Sequence, residues 1–302
     1  MPTESLSSPS SSVLTEAGTR VVAGPQEAQA LIADLEQRSE VLDAYFEQCR
    51  MRWRRIGSGA PLVLLHGGNG SWLHWARNID ALARHYTLWL PDLPGCGGSQ
   101  ALEAPASLER LVAALRQNID SLIGAEQPIA LAAFSFGAVL ASNLALSRRA
   151  VSKLALLGPT GHGLPRLQIP LNNWRLVSAG AAQDEIHRYN LAQLMLHGSD
   201  AVDPLALEIH RSASEQTRLR SKKISHTDAM RQALDRVFVS TLLVWGEHDP
   251  TAQAVATAQA LTQGQPNRRS AIITGAGHWV QYQCPDEINR LLCDWFCAAP
   301  AK

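Results

Sequence analysis

The chain has 302 residues, with 27 basic and 27 acidic side chains and a formal net charge of zero. No basic field is therefore available to hold nucleic acid or an anionic membrane surface. Its 46% apolar and 18% charged composition is that of a soluble globular protein long enough to bury one large core without disulfides. No apolar run reaches the ~18 residues needed to span a bilayer, and the serine-rich start lacks the basic and apolar segments of a secretory leader. The expectation is a cytoplasmic protein that acts on a small molecule, with no nucleic-acid or membrane partner; a homo-oligomer is compatible with this composition. Five cysteines (Cys49, Cys96, Cys284, Cys293, Cys297) lack C-x-x-C or metal-ligand spacing, so buried or free thiols are expected.

Residues 1–24 are expected to form a disordered tail, because the opening stretch is rich in Ser, Thr, Pro and Glu and offers little to bury. Ala28, Leu31, Ile32 and Leu35 recur at helical spacing and predict a short helix over Gln26–Gln37. Partial alternation from Ala44 to Ile56 predicts an antiparallel strand or hairpin at a sheet edge. Next, Pro61-Leu-Val-Leu-Leu65 reads as a buried strand entering the glycine-rich turn His66-Gly67-Gly68-Asn69-Gly70, where amides point into a cavity unobstructed by side chains. The turn has neither phosphate-loop nor dinucleotide glycine spacing. Helical character over Trp72–Arg84, a strand at Tyr86–Leu90 and a loop, Pro91-Asp92-Leu-Pro-Gly95-Cys-Gly97-Gly98-Ser99, follow. In that loop Asp92 and Ser99 are expected to shape the turn by local hydrogen bonds. The stripe Leu108, Leu111, Val112, Leu115, Ile119 and Leu122 predicts a helix from Ser107 to Ile123.

Ile129-Ala-Leu-Ala-Ala-Phe134 is an unbroken apolar run that stops at Ser135 and resumes as a helix-forming run. This pattern predicts strand, sharp turn, helix, with Ser135 thrown out of the fold and small neighbours, Ala133 and Gly137, beside it. After a strand at Lys153–Leu157, residues 161–238 contain no strand-like run, and a helical insertion is expected there. It carries Trp174, His187, Arg188, Tyr189, His197, His210, Arg211, Arg218 and Arg220. A further buried strand, Ser240–Trp245, ends in Gly246-Glu247-His248-Asp249-Pro250, which places an acid at a strand's carboxyl end. Helix Ala252–Gln263, strand Ser270–Thr274, the turn Gly275-Ala-Gly277-His278-Trp279 and a helix over Pro285–Phe296 complete the chain. Strands that are continuously apolar and alternate with helices predict an α/β fold with a mostly parallel sheet covered on both faces.

Together, the small-x-Ser-x-Gly elbow, the His-Gly turn, the D-x-P-G-x-G-x-S loop and a final Gly-x-Gly-His resemble the α/β-hydrolase family, from about residue 45 to the end. The resemblance implies an eight-stranded-type sheet, core residues 25–160 and 239–302, and a helical cap over 161–238. It implies a Ser135–His278–Asp249 triad, Asp249 rather than Glu247 because the family's acid stands three residues after the glycine. Amides of Gly68 and Phe136 would form the oxyanion hole; His66 is expected to be a structural hydrogen-bonder. Neither a metal nor an organic cofactor is required. The ending His278-Trp279-Val-Gln281 with Asp286-Glu287-Ile-Asn289-Arg290-Leu looks like that of the meta-cleavage-product hydrolases, which split carbon–carbon bonds in 2-hydroxy-6-oxo-dienoates. Phe134 departs from the Asn usual there, and the cap arginine that grips the substrate carboxylate in that group falls near His210-Arg211. Substrate contacts are accordingly expected from Asn69, Phe134, Trp279, His210 and Arg211. The resemblance implies a serine hydrolase of a small ester, lactone or vinylogous diketone. A ligand receptor with little turnover and a cofactor-free acyltransferase or perhydrolase are its alternatives.

Overall fold

The computed structural model describes residues 22–103 and 106–298; the tail expected over residues 1–24 lies outside them except for residues 22–24. Eight strands run through the chain: β1 (Glu40–Phe46), β2 (Cys49–Ile56), β3 (Ala60–Leu65), β4 (Tyr86–Pro91), β5 (Ile129–Phe134), β6 (Val151–Leu157), β7 (Ser240–Gly246) and β8 (Arg268–Ile273). They form one sheet in the order β1-β2-β4-β3-β5-β6-β7-β8. The β1–β2 and β2–β4 pairs are antiparallel, and every pairing from β4 to β8 is parallel. The helices are α1 (Pro25–Arg38), α2 (Ile79–Leu82), α3 (Leu108–Leu122), α4 (Phe136–Ser147), α5 (Ala181–Asn190), α6 (Pro204–Gln216), α7 (Lys222–Ser225), α8 (Ala229–Leu234), α9 (Ala254–Thr262), α10 (Val280–Gln283) and α11 (Pro285–Cys297).

The central strands bury both faces, which is why they read as unbroken apolar runs. Val63, Leu65, Leu131, Ala133, Leu154, Leu156, Leu243 and Trp245 point into one core, shared with α3, α4 and α9. Their neighbours Leu62, Leu64, Ala132, Phe134, Ala155, Leu157, Leu242 and Val244 point into the other, shared with α1 and α11. The anticipated helix over Ser107–Ile123 forms as α3, and Ser107 caps it by accepting from the Arg110 amide at 3.3 Å.

Two local differences have simple causes. The predicted strand at Ala44–Ile56 is a hairpin whose first arm begins at Glu40; Glu40–Asp43 lies on an open edge and needs no apolar alternation. The predicted helix at Trp72–Arg84 breaks into a 3₁₀ turn, Trp72–Trp75, and the single-turn α2. All four residues of that 3₁₀ turn are buried, and tertiary bonds hold it: Trp72 N donates to Asp92 Oδ1 at 3.0 Å and Trp75 Nε1 to Leu65 O at 3.2 Å. Among the described residues no helix is long and apolar enough to cross a membrane.

Asp92 ties these pieces together. Its carboxylate is buried and accepts from Arg54 Nη1 at 3.1 Å, Gly98 N at 2.9 Å and Trp72 N at 3.0 Å. Ser99 Oγ donates to Asp92 O at 2.7 Å and accepts from Arg52 N at 2.8 Å, so the loop is shaped as its sequence suggested. Arg54, itself buried, also bonds Glu36 at 2.6 Å and lies 4.3 Å over the Trp72 ring. Replacing Asp92 with Ala strips two amides and half the counter-charge of a buried guanidinium. The expected loss is about 3–5 kcal/mol of unfolding free energy, measured by urea denaturation; a loss below about 1 kcal/mol would show that the loop does not depend on Asp92.

Candidate active site

Between β5 and α4 the chain turns at Ser135, whose φ of 53° and ψ of −116° lie in a region that a side chain ordinarily avoids. Holding it there costs on the order of 1–3 kcal/mol, and close packing supplies the restraint. Ser135 N donates to Leu157 O at 2.9 Å, and Ser135 O accepts from Ala138 N at 3.0 Å. A Cβ at Gly137 would stand 2.6 Å from His66 O, and one at Gly67 3.0 Å from Ser135 Cβ. Only glycines allow the end of β3 to approach the first turn of α4 this closely. Ala133, by contrast, fits its methyl into the core.

The turn presents Ser135 Oγ 2.9 Å from His278 Nε2, and His278 Nδ1 lies 2.9 Å from Asp249 Oδ2. Asp249 follows β7 and His278 follows β8, so residues distant in sequence converge at the carboxyl ends of three strands. Both Asp249 and His278 are buried, whereas Ser135 keeps accessible surface. A carboxylate at Nδ1 requires the proton there, which leaves Nε2 free to accept from the serine hydroxyl. Burial alone would raise the Asp249 pKa; the His278 charge and hydrogen bond and two bonds from Thr251 outweigh it and hold the carboxyl below the usual range. Thr251 donates both its amide, at 2.8 Å, and its hydroxyl, at 2.7 Å, to Asp249 Oδ1. Glu247 instead is exposed and accepts from Gly275 N at 3.0 Å.

Beside Ser135, the amides of Gly68 and Phe136 donate to no protein acceptor among the described residues. The neighbouring Gly67 amide is taken by His74 Nδ1 at 3.2 Å. His66 is fully enclosed: it accepts from Leu93 N through Nε2 at 2.9 Å, so its Nδ1, 2.7 Å from Gly67 O, is the donor. It has no free nitrogen for base chemistry.

Three of the expected substrate contacts are corrected. Trp279 has no exposed surface; it stacks on Tyr282 with centroids 4.1 Å apart and donates Nε1 to His74 O at 2.9 Å. Phe134 is equally buried, 5.0 Å from the His278 ring and 5.3 Å from the His74 ring, and it serves as packing beneath the site. Arg211 is bound by Glu208 at 2.6 Å, Glu215 at 3.9 Å and Asp184 at 4.0 Å, and lines a separate cleft with Pro25 and Gln183. Asn69 is exposed at the tip of its turn with φ of 50°, a conformation Asn tolerates better than most residues. His210 packs edge-on against His187 with ring centroids 5.3 Å apart.

Sequence reasoning missed His74, Thr251 and Ser221. Ser221 Oγ overhangs the Gly68 turn, 2.5 Å from where a Cβ would sit. Thr251, two residues after Asp249, could have been found from the Asx-turn habit of Asp; nothing local marks the other two. No group of three or more His, Cys, Asp or Glu that could hold a metal occurs among the described residues.

Because the folded pKa of Asp249 is depressed, its stabilising contribution is present above the ordinary carboxylate pKa and is lost as pH falls through the folded value. Thr251→Val removes one bond to the charged form, so it should destabilise by about 1.5–3 kcal/mol at neutral pH. That difference should fade as pH drops and Asp249 protonates in both proteins. Urea denaturation at a series of pH values from 7 downward measures it; a difference that stays constant down to the lowest pH at which the proteins fold would mean that the hydroxyl acts through packing.

A profile of the alpha/beta hydrolase family matches residues 62–291. The chain is 28% identical over 265 residues to a 2-hydroxy-6-oxononadienedioate/2-hydroxy-6-oxononatrienedioate hydrolase of Pseudomonas putida, covering 82% of this chain and 91% of that protein. It is 27% identical over 276 residues to an (E)-2-((N-methylformamido)methylene)succinate hydrolase of Acinetobacter baylyi, covering 85% and 94%. A carboxylesterase structure from Bacillus subtilis superposes with a TM-score of 0.72 at 19% identity, over 91% of this chain and 97% of that one, a likeness of fold. With most of its length inside the family profile and the sheet order and connections described above, the chain belongs to the alpha/beta hydrolase family.

Proposed function

We propose that the protein is a serine hydrolase of a small carbonyl substrate, with Ser135 as nucleophile, His278 as general base and acid, and Asp249 as the group that orients His278. The observation that carries this reading is the hydrogen-bonded chain Ser135 Oγ–His278 Nε2 and His278 Nδ1–Asp249 Oδ2, 2.9 Å at each step. A serine hydroxyl is a weak nucleophile at neutral pH and needs a base within hydrogen-bond reach. As Oγ attacks the carbonyl carbon, His278 Nε2 takes its proton, and Asp249 stabilises the imidazolium. The carbonyl oxygen becomes an oxyanion facing the amides of Phe136 and Gly68; losing one such donor costs ~3 kcal/mol of barrier. Collapse of the tetrahedral adduct passes the proton from Nε2 to the leaving oxygen and leaves an acyl-Ser135 ester. Water, activated by the same imidazole, then hydrolyses that ester and restores the hydroxyl.

Residues 161–238 act in this reading as a cap over the strand ends. Two contacts support it: Ser221 lies over the Gly68 turn, and Trp279 N donates to Met195 O at 2.7 Å. A cap excludes water from the acyl-enzyme and shapes the substrate pocket.

The Pseudomonas putida relative, named for a dienedioate, favours a second reading, carbon–carbon bond hydrolysis. There the same triad would act on a vinylogous ketone after His278 assists ketonisation.

Release of 4-nitrophenol from short acyl esters tests the first reading. Ser135→Ala should lower kcat by about 10⁴ or more. An alanine variant as active as wild type would exclude Ser135 as the nucleophile. Loss of absorbance from a 2-hydroxy-6-oxo-dienoate, if much faster than any ester, would establish the second reading instead.

A further inference from the structure

We propose that Gln283 is a positioning residue for the general base: its side-chain oxygen ties the loop that carries His278 to cap residues 195–197, so that the cap is part of the mount of the imidazole. The inference rests on the serine-hydrolase reading and adds to it a residue that hydrogen-bonds to no member of the triad.

His278 stands on an irregular loop between β8 and α10, with no strand or helix of its own to hold it. The residues on either side of it supply the restraint. Gly277 N donates to Gln283 Oε1 at 2.9 Å, and Trp279 N donates to Met195 O at 2.7 Å. The same Gln283 Oε1 accepts from His197 N at 2.9 Å, and Gln283 Nε2 donates to His197 O at 2.8 Å. One side-chain amide therefore bridges loop and cap, and the backbone amides before and after that of His278 end on the cap or on the side chain bound to it. The turn of α10 brings Gln283 to this place. Tyr282 N and Gln283 N both donate to Trp279 O, at 3.1 Å and 3.0 Å, which folds the chain back toward Gly277.

Close backbone packing reinforces the bridge. A Cβ at Gly277 would stand 2.7 Å from His197 N and 3.0 Å from Met195 O, so only glycine lets the cap chain lie against the loop. His248, the residue before Asp249, donates its amide to Ala276 O at 2.9 Å, and its ring stacks on that of His197 with centroids 3.6 Å apart. The cap thus bears on the acid's loop as well as the base's. Position matters here because the proton of Ser135 Oγ passes to His278 Nε2 across 2.9 Å, and a misplacement of ~1 Å can cost about 100-fold in rate. Water could satisfy each freed amide separately, but it would leave loop and cap unlinked through this side chain.

Two substitutions test the inference. Gln283→Met keeps the length of the side chain and removes its polar end, whereas Gln283→Glu keeps an oxygen for both amides. With 4-nitrophenyl butyrate, Gln283→Met should lower kcat about 10- to 100-fold with KM within about 3-fold of wild type, and Gln283→Glu should recover most of that loss. Amide hydrogen exchange followed by nuclear magnetic resonance gives a readout that needs no turnover. In wild type the Gly277 and Trp279 amides should exchange slowly. In Gln283→Met both should exchange roughly 10-fold faster or more, although Trp279 N bonds to Met195 and not to Gln283. That pattern supports the inference even if no ester is hydrolysed, a result that would sink only the hydrolase reading. A methionine variant with unchanged kcat, a loss confined to KM, or a glutamate variant as impaired as methionine overturns it. So does exchange at Trp279 that the methionine leaves unchanged, or, without any variant, a wild-type Gly277 amide that exchanges as fast as one in an exposed loop.

Discussion

The structure depends on one unfavourable backbone conformation, the positive φ of Ser135. A residue with a Cβ stays there only if its surroundings leave it no alternative, and three neighbouring strands remove the alternatives. The Leu157 carbonyl at the end of β6 takes the Ser135 amide, while β3 presses the His66 carbonyl against Gly137 from the other side. The parallel register that aligns β3, β5 and β6 is therefore what aims the hydroxyl. Its cost, of order 1–3 kcal/mol, is small beside the two apolar layers that those strands bury, each buried large side chain contributing roughly 1.5–3 kcal/mol.

A second opposition operates at the acid. Protein encloses Asp249, and burial alone would favour its neutral form; the imidazole of His278 and both donors of Thr251 reverse that balance. An ionised Asp249 keeps the proton on His278 Nδ1 and the lone pair of Nε2 toward Ser135. The same logic sorts the histidines. His66 has both ring nitrogens committed to backbone groups, and His74 ties Nδ1 to the Gly67 amide, which leaves the next amide along, that of Gly68, unclaimed. His278 alone of these three has a carboxylate at its ring.

What could be read from the chain follows from how far each signal reaches. Strands buried on both faces announce themselves as apolar runs, and residues at their carboxyl ends, Ser135, Asp249 and His278, stand at the boundary between a run and a polar turn, so their meeting was foreseeable. Segments governed by long-range contacts were not. Trp72–Trp75 looks like part of a helix until the Asp92 and Leu65 bonds that define it are known. Trp279 and Phe134 were expected at the substrate because they adjoin the triad in sequence. In a fold whose successive residues alternate between layers, adjacency places a side chain beneath the site as readily as within it. His74 carries no local mark at all, since its importance arises from Gly67, Phe134 and Trp279, which lie elsewhere in the chain.

The contrast between His210 and Arg211 is the same argument made by a helix. Consecutive residues on an α-helix point about 100° apart, so His210 and Arg211 of α6 meet different surroundings. Leu205, Ala206, Ile209 and Ala213 fix the buried side of that helix. Arg211 sits one turn from Glu208 and from Glu215, the spacing at which helical neighbours pair, and its charge is satisfied on the outer side, where Asp184 of α5 adds to it. The phase of α6, set by apolar burial and reinforced by its acidic residues, turns the guanidinium outward, while His210 packs edge-on against His187 of α5 with centroids 5.3 Å apart.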